Sequence, residues 1–113
     1  MRLVVAAALA AVVAGCAGDP MRRVAAPAPA GALECARRAL AELGYVVQEG
    51  SVDRGSLYLQ RPTDGLVADV IVAEEGAGEL RLFAAARTSR NRYAPPSQES
   101  LGHVQAVISR CAG

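Results

Sequence analysis

Cys16, Cys35 and Cys111 are the side chains with the most specific chemistry in this sequence. Cys35 and Cys111 stand too far apart for a CxxC redox motif, and two thiols alone make a poor zinc site. With Cys16 set aside they are an even pair, the arithmetic of a structural disulfide in an oxidising compartment. Closing so long a loop is worth roughly 4 kcal/mol of chain entropy, a large share of a small domain's stability. His103 is the only histidine, so no His–His metal pair exists, and no G-x-S-x-G elbow accompanies it. It reads as a partly exposed structural residue. Asp64 with Asp69, and Glu74 with Glu75, are the available carboxylate pairs. Strand neighbours point to opposite faces, so Glu74-Glu75 reads as a solvated turn and neither pair as a glycosidase site. Gly76-Ala77-Gly78 opens no helix and reads as a hairpin, not a phosphate loop. Every basic residue is Arg, which excludes a P-loop lysine and a Schiff-base lysine. No catalytic residue, metal site or cofactor is expected, and the chain reads as a non-enzyme.

The densest polar cluster is Arg87, Thr88, Ser89, Arg90, Asn91, Arg92 and Tyr93. Arginine forks onto carboxylate or phosphate and stacks on aromatic rings. Two readings stay open: a solvated loop, or a contact patch of Arg90, Arg92 and Tyr93 for an anionic partner. Peptidoglycan carboxylates, lipid headgroups and an acidic protein patch all fit the second.

The elements that must position these residues follow from pattern. Leu33, Ala36, Leu40 and Leu43 share one face of a helix over 32–43, with Glu34–Arg38 a favourable i,i+4 pair and Gly44 its stop. Four strands are expected next: 45–49, 56–61, 66–73 and 80–87, the last two joined across 74–78. Connections this short imply antiparallel neighbours. Ser97 is a plausible N-cap for a second helix whose stripe is Leu101, Val104, Ile108 and Cys111. If the two helices lie antiparallel on one face of the sheet, Cys35 at the start of one meets Cys111 at the end of the other. The expected architecture is therefore α+β: helix, four-stranded antiparallel sheet, helix, with both helices on one face.

Ahead of this unit, Leu3 to Val13 contains only Leu, Val and Ala. That is well short of the about 20 residues a membrane span needs, and matches the apolar core of a secretory signal. Val13-Ala14-Gly15-Cys16 resembles the lipobox of bacterial lipoprotein signal peptides. The resemblance implies cleavage before Cys16, a diacylglyceryl group on its thiol, and an acyl chain such as palmitate on its new amine. The expected organisation is then 1–15 signal peptide, 16–31 lipidated Cys and Pro/Ala tether, and 32–113 globular domain. At about 3 Å per residue the tether would hold the domain roughly 40 Å from the lipid. Arg22 and Arg23 within it read as solvated linker charges rather than headgroup contacts. Removing residues 1–15 takes away Arg2 and leaves eleven basic against eleven acidic side chains, a balance that argues against nucleic acid as a partner.

Leu40, Leu43-Gly44-Tyr45, Val47 and Asp53-Arg54-Gly55 are also similar to the helix-grip-type domains of envelope lipoproteins such as BamC. Here Asp-Arg adjoins the Gly, where that family usually inserts residues, so the resemblance implies architecture and a non-enzymatic envelope role but carries no binding residue. The expectation is a lipid-anchored binding or assembly module, held to a membrane through its N-terminus, with other envelope proteins or peptidoglycan as partners. The alternative is a small periplasmic enzyme or inhibitor whose site has no recognisable motif. Ala17, where an Asp would imply inner-membrane retention, implies the outer membrane, facing the periplasm, in a two-membrane cell.

Overall fold

Alternation in the strands and 3.6-residue periodicity in the helices build one core in the computed structural model, which describes residues 20–48, 55–63, 68–88 and 92–113. In chain order the elements are β1 (Arg22–Pro27), α1 (Ala32–Glu42), β2 (Val46–Val47), β3 (Ser56–Pro62), β4 (Ala68–Gly76), β5 (Glu79–Arg87), β6 (Tyr93–Ala94) and α2 (Gln98–Cys111). The sheet is antiparallel and six-stranded, in the order β1-β5-β4-β3-β2, with β6 on β5. The chain forms a small α+β domain.

Four strands were expected, and the described residues form six in one sheet. β1 lies inside the stretch read as a tether. Its Val24 and Ala26 sit opposite Leu82 and Leu80, and Pro27 closes it on an edge, where a missing N–H is tolerated. Ala and Pro have low strand propensity, so the partner strand and not the local sequence makes this segment extended. β6 lies inside the Arg-rich loop for the same reason. The expected strand at 45–49 contracts to Val46–Val47 within the described residues.

Each turn has a local cause. Gly44, at φ +97°, ends α1: its N–H reaches the Ala41 carbonyl at 3.0 Å and that of Tyr45 reaches Leu40 at 2.9 Å, a Schellman motif. Ala77 and Gly78, both at positive φ, make the two-residue turn between β4 and β5. Ser97 caps α2, accepting from the Ser100 N–H at 3.0 Å. At α1 the cap comes from elsewhere, since Gly31 has no side chain. The Glu75 carboxylate accepts from the N–H groups of Gly31 at 3.1 Å and Leu33 at 2.9 Å. Glu74 and Glu75, read as a solvated turn, are strand residues instead, and Glu75 fills the vacant N-terminus of a helix.

The core joins Ala32, Ala36, Ala39 and Leu40 of α1 to Val104, Val107 and Cys111 of α2. Leu57, Leu59, Ile71, Ala73, Leu80, Leu82 and Ala84 meet them from alternate strand positions. Both helices are turned slightly from their expected stripes. Leu33, Leu43 and Ile108 pack at the margin, while Ala32, Ala39 and Val107 are buried. Small residues let α1 approach its neighbours closely, which a pattern weighted by large side chains does not anticipate. Cys35 and Cys111 are bonded, with Cα atoms 5.6 Å apart, inside the usual span for a disulfide.

Candidate functional site

The strand residues that alternate with the core set line the sheet's other face in cross-strand rows. One row is Arg23, Phe83, Val72 and Tyr58; the next is Ala85, Val70, Gln60 and Val46; a third is Tyr93, Arg87, Ala68 and Pro62. Tyr58 and Tyr93 belong to the first and third rows, yet their hydroxyls lie 3.5 Å apart. The two phenols therefore reach across the middle row, where Val70 and Ala85 are fully buried. Gln60 Nε2 donates to the Tyr58 hydroxyl at 3.4 Å. Burial, then the Tyr93 hydroxyl, pushes the Tyr58 phenol up, while Gln60 and Arg87 pull it the other way. Val46 and Tyr93 remain largely exposed at opposite ends of this face, at 58% and 47%. Tyr58, Phe83 and Arg81 all lie on it and are half-buried.

Of the contact patch expected from sequence, Arg92 and Tyr93 are exposed neighbours at β6, and Tyr93 stands opposite Arg87. Thr88 N–H donates to the Arg92 carbonyl at 2.8 Å and closes the loop. Arg90 lies outside the described residues, as do Cys16, Asp64 and the whole 1–15 segment.

A second cluster has no counterpart in the sequence reading. Arg61 and Asp69 occupy core-side positions at one end of β3 and β4. Arg61 Nε donates to Asp69 Oδ2 at 3.1 Å, its Nη2 also binds that oxygen, and Nη2 reaches Glu99 Oε1 at 3.1 Å. The guanidinium stands 5.6 Å from the centroid of the buried Tyr45 ring, whose hydroxyl pairs with His103 Nδ1 at 2.9 Å. The Tyr45 and His103 rings meet edge to face. Burial pushes the Tyr45 phenol up, opposed by the nearby Ser100 hydroxyl, which is buried without a well-formed hydrogen bond. Burial works to lower the Arg61 guanidinium's pKa, and its bonds to Glu99 and Asp69 outweigh that and hold it raised. In turn Arg61 holds the Glu99 carboxyl below its ordinary value. This chain of contacts seals the end of the core. Its signal was visible: a charge of each sign sits in the core phase of two neighbouring strands, Leu57-x-Leu59-x-Arg61 and Asp69-x-Ile71-x-Ala73. His103 is half-buried and engaged by Tyr45.

Open depressions lie elsewhere among the described residues. One, of about 300 Å³, is lined by Pro27, Ala28, Pro29, Gly78 and Gly113. Another, of about 270 Å³, lies between the helices and contains the Glu42–Arg110 ion pair. Among the described residues no three His, Cys, Asp or Glu side chains gather as metal ligands, and no helix is long and apolar enough to cross a membrane. No family model, curated protein or solved structure matches the chain.

Proposed function

We propose that this protein is a lipid-anchored, non-catalytic binding or assembly module of the cell envelope, with Cys16 as its acylated N-terminus. The observation that carries this reading is the Cys35–Cys111 bond. Structural disulfides belong to compartments outside the reducing cytoplasm. The bond uses both cysteines of the folded unit, and the remaining one stands directly after an apolar run and Val13-Ala14-Gly15. In this reading both helices cover one face of the sheet. The other face, with Val46, Phe83, Tyr58 and Tyr93, is the contact surface, and Arg90, Arg92 and Tyr93 engage an anionic partner.

Intact-mass measurement on protein extracted from membranes tests the anchor. The expected mass is that of residues 16–113 plus a diacylglyceryl group and one acyl chain; the mass of the uncut, unmodified chain refutes it. For the contact surface, Ala at Arg90, Arg92 and Tyr93 should leave the melting temperature nearly unchanged, because Arg92 and Tyr93 are exposed and outside the core, where side chains carry little stability. Retention of envelope components in a pull-down should fall with these changes, and the parent's retention should weaken with added salt. Equal retention by variant and parent leaves a solvated loop.

A further inference from the structure

Among the described residues, Arg23, Arg37, Arg38, Arg61, Arg81 and Arg110 each lie beside a carboxylate, and Arg22, Arg87 and Arg92 do not. These three cations come from two stretches of sequence, Arg22 from β1 and Arg87 and Arg92 from the 87–93 cluster, and the pairing of β1 and β6 with β5 brings them to one end of the sheet. β4 pairs along the whole of β5 on one side, so β1 and β6 share the other side end to end. Arg22 stands opposite Ala84, Ala94 opposite Ala86, and Tyr93 opposite Arg87. Three residues of extended β5 therefore separate the Arg22 level from Arg87, about 10 Å. Arg22 is in the core-side phase and Arg87 and Tyr93 are in the opposite one, so the two faces of the sheet's end both carry positive charge. Two described carboxylates lie at this end, Asp69 opposite Ala86 and Glu99 in the first turn of α2, and both are bound by Arg61. Among the described residues the corner's positive charge is left uncompensated.

The same corner is where the chain arrives from Cys16. β1 runs from the Ala84 level toward Glu79, so Pro20 and Met21 enter the sheet beside β6. Six residues take the chain from Cys16 to Arg22, a reach of about 20 Å at full extension. Because β1 is part of the sheet, the anchor is held at half the distance a free tether would allow.

We propose that Arg22, Arg87 and Arg92, flanked by Tyr93, bind anionic phospholipid headgroups of the membrane that holds the lipid, and so fix the domain's orientation on it. This rests on the anchoring of Cys16 proposed above. Guanidinium groups fork onto phosphate oxygens, and a tyrosine with an apolar ring and a polar tip suits the headgroup level. The corner then faces the bilayer, while Val46, on the far edge of the sheet, faces away from it.

The sequence has no tryptophan, so a Tyr93→Trp chain carries one indole at the corner and a Val46→Trp chain carries one at the opposite edge. Each is made with its own signal, extracted from membranes and weighed. Each is then reconstituted in vesicles of phosphatidylcholine, with and without phosphatidylglycerol, containing brominated lipids. The expected result is quenching at position 93 that strengthens with phosphatidylglycerol, and little at position 46. Adding R22Q, R87Q and R92Q should lower the bound-to-free orientation ratio by about fivefold per arginine, with the circular-dichroism melt unchanged. An unmodified Cys16 by mass overturns the anchor reading and this inference together. An acylated chain quenched equally in both vesicles, or indifferent to the three substitutions, overturns the headgroup contact alone. So does stronger quenching at position 46. Loss of a captured envelope protein on the three substitutions, without any vesicle signal, assigns the corner to a protein partner and also overturns it.

Discussion

Replacing Cys35 with Ser removes one covalent bond whose effect can be worked out before the measurement. Its partner Cys111 is 76 residues away in sequence. Entropy lost by the unfolded chain on closing such a loop is about 15 cal/mol/K, or about 4.5 kcal/mol at room temperature. A domain of this size holds roughly 5–12 kcal/mol in total, so the substitution leaves a marginal fold. Its melting temperature should drop by roughly 20–30 °C. The bond also fastens the last turn of α2, whose end is tied back by the Gly113 N–H to the Pro27 carbonyl of β1 at 3.2 Å. Cys111→Ser should therefore lose about the same, and the double substitution little more than either, because a single bond is removed in all three. Urea unfolding followed by circular dichroism, with and without reductant, reads each corner of the cycle. Reductant should bring the parent down to the level of the double variant and leave that variant unmoved. Losses that add, or two free thiols in the denatured, unreduced parent, would refute the reasoning.

Other contacts give sharper local tests. Glu75→Ala strips α1 of its only carboxylate cap and should lower stability by about 1 kcal/mol in urea unfolding, with Glu75→Gln losing less because one acceptor remains. Asp69→Ala leaves the largely buried Arg61 with Glu99 alone and should cost about 3 kcal/mol, whereas replacing Arg61 and Asp69 together by Met and Leu should restore most of it. Ala77 holds a positive φ of 55° in the β4–β5 turn; Ala77→Asn should raise the unfolding free energy by about 1 kcal/mol in urea, since asparagine tolerates that conformation. Glu34 is lowered from 4.5 to about 2, through Arg37 first and then Arg38, and Glu42 and Glu99 are lowered by Arg110 and Arg61. Folded values below unfolded ones mean that this stability is complete above about pH 5 and is lost as pH falls toward about 2. The melting temperature should decline across that window, and the gap between parent and Arg110→Gln should narrow as it does.

How far the chain could be read depends on where each element gets its stability. α1 and α2 were legible because their periodicity, the Gly44 stop and the Ser97 cap are local. β3, β4 and β5 were legible in kind because alternation and short connections are local too. β1 and β6 were not: Val24 and Ala26 offer only a weak apolar phase, and Tyr93-Ala94 is two residues long. Both are strands because the free side of β5 pairs their backbones. Arg61 and Asp69 left a trace, as charges in the core phase of two strands. Their partners come from two other stretches, Tyr45 just before β2 and Glu99 with His103 one turn apart on α2, and no spacing rule joins those stretches to Arg61 and Asp69.

By itself the sequence determined the α+β character, the antiparallel connections and the pairing of Cys35 with Cys111, because the periodicity of each segment and the parity of the cysteines are properties of neighbours along the chain. It also set the expectations for Cys16, which rest on residue order alone. Only the tertiary structure decided that the described residues form six strands of one sheet, that Glu75 caps a helix more than forty residues away, and that Arg22 comes to the end of the sheet where Arg87 and Arg92 lie. Those facts depend on which backbone edges remain to be paired and which carboxylates fall within reach. Such quantities exist only once distant segments have been brought to the same place.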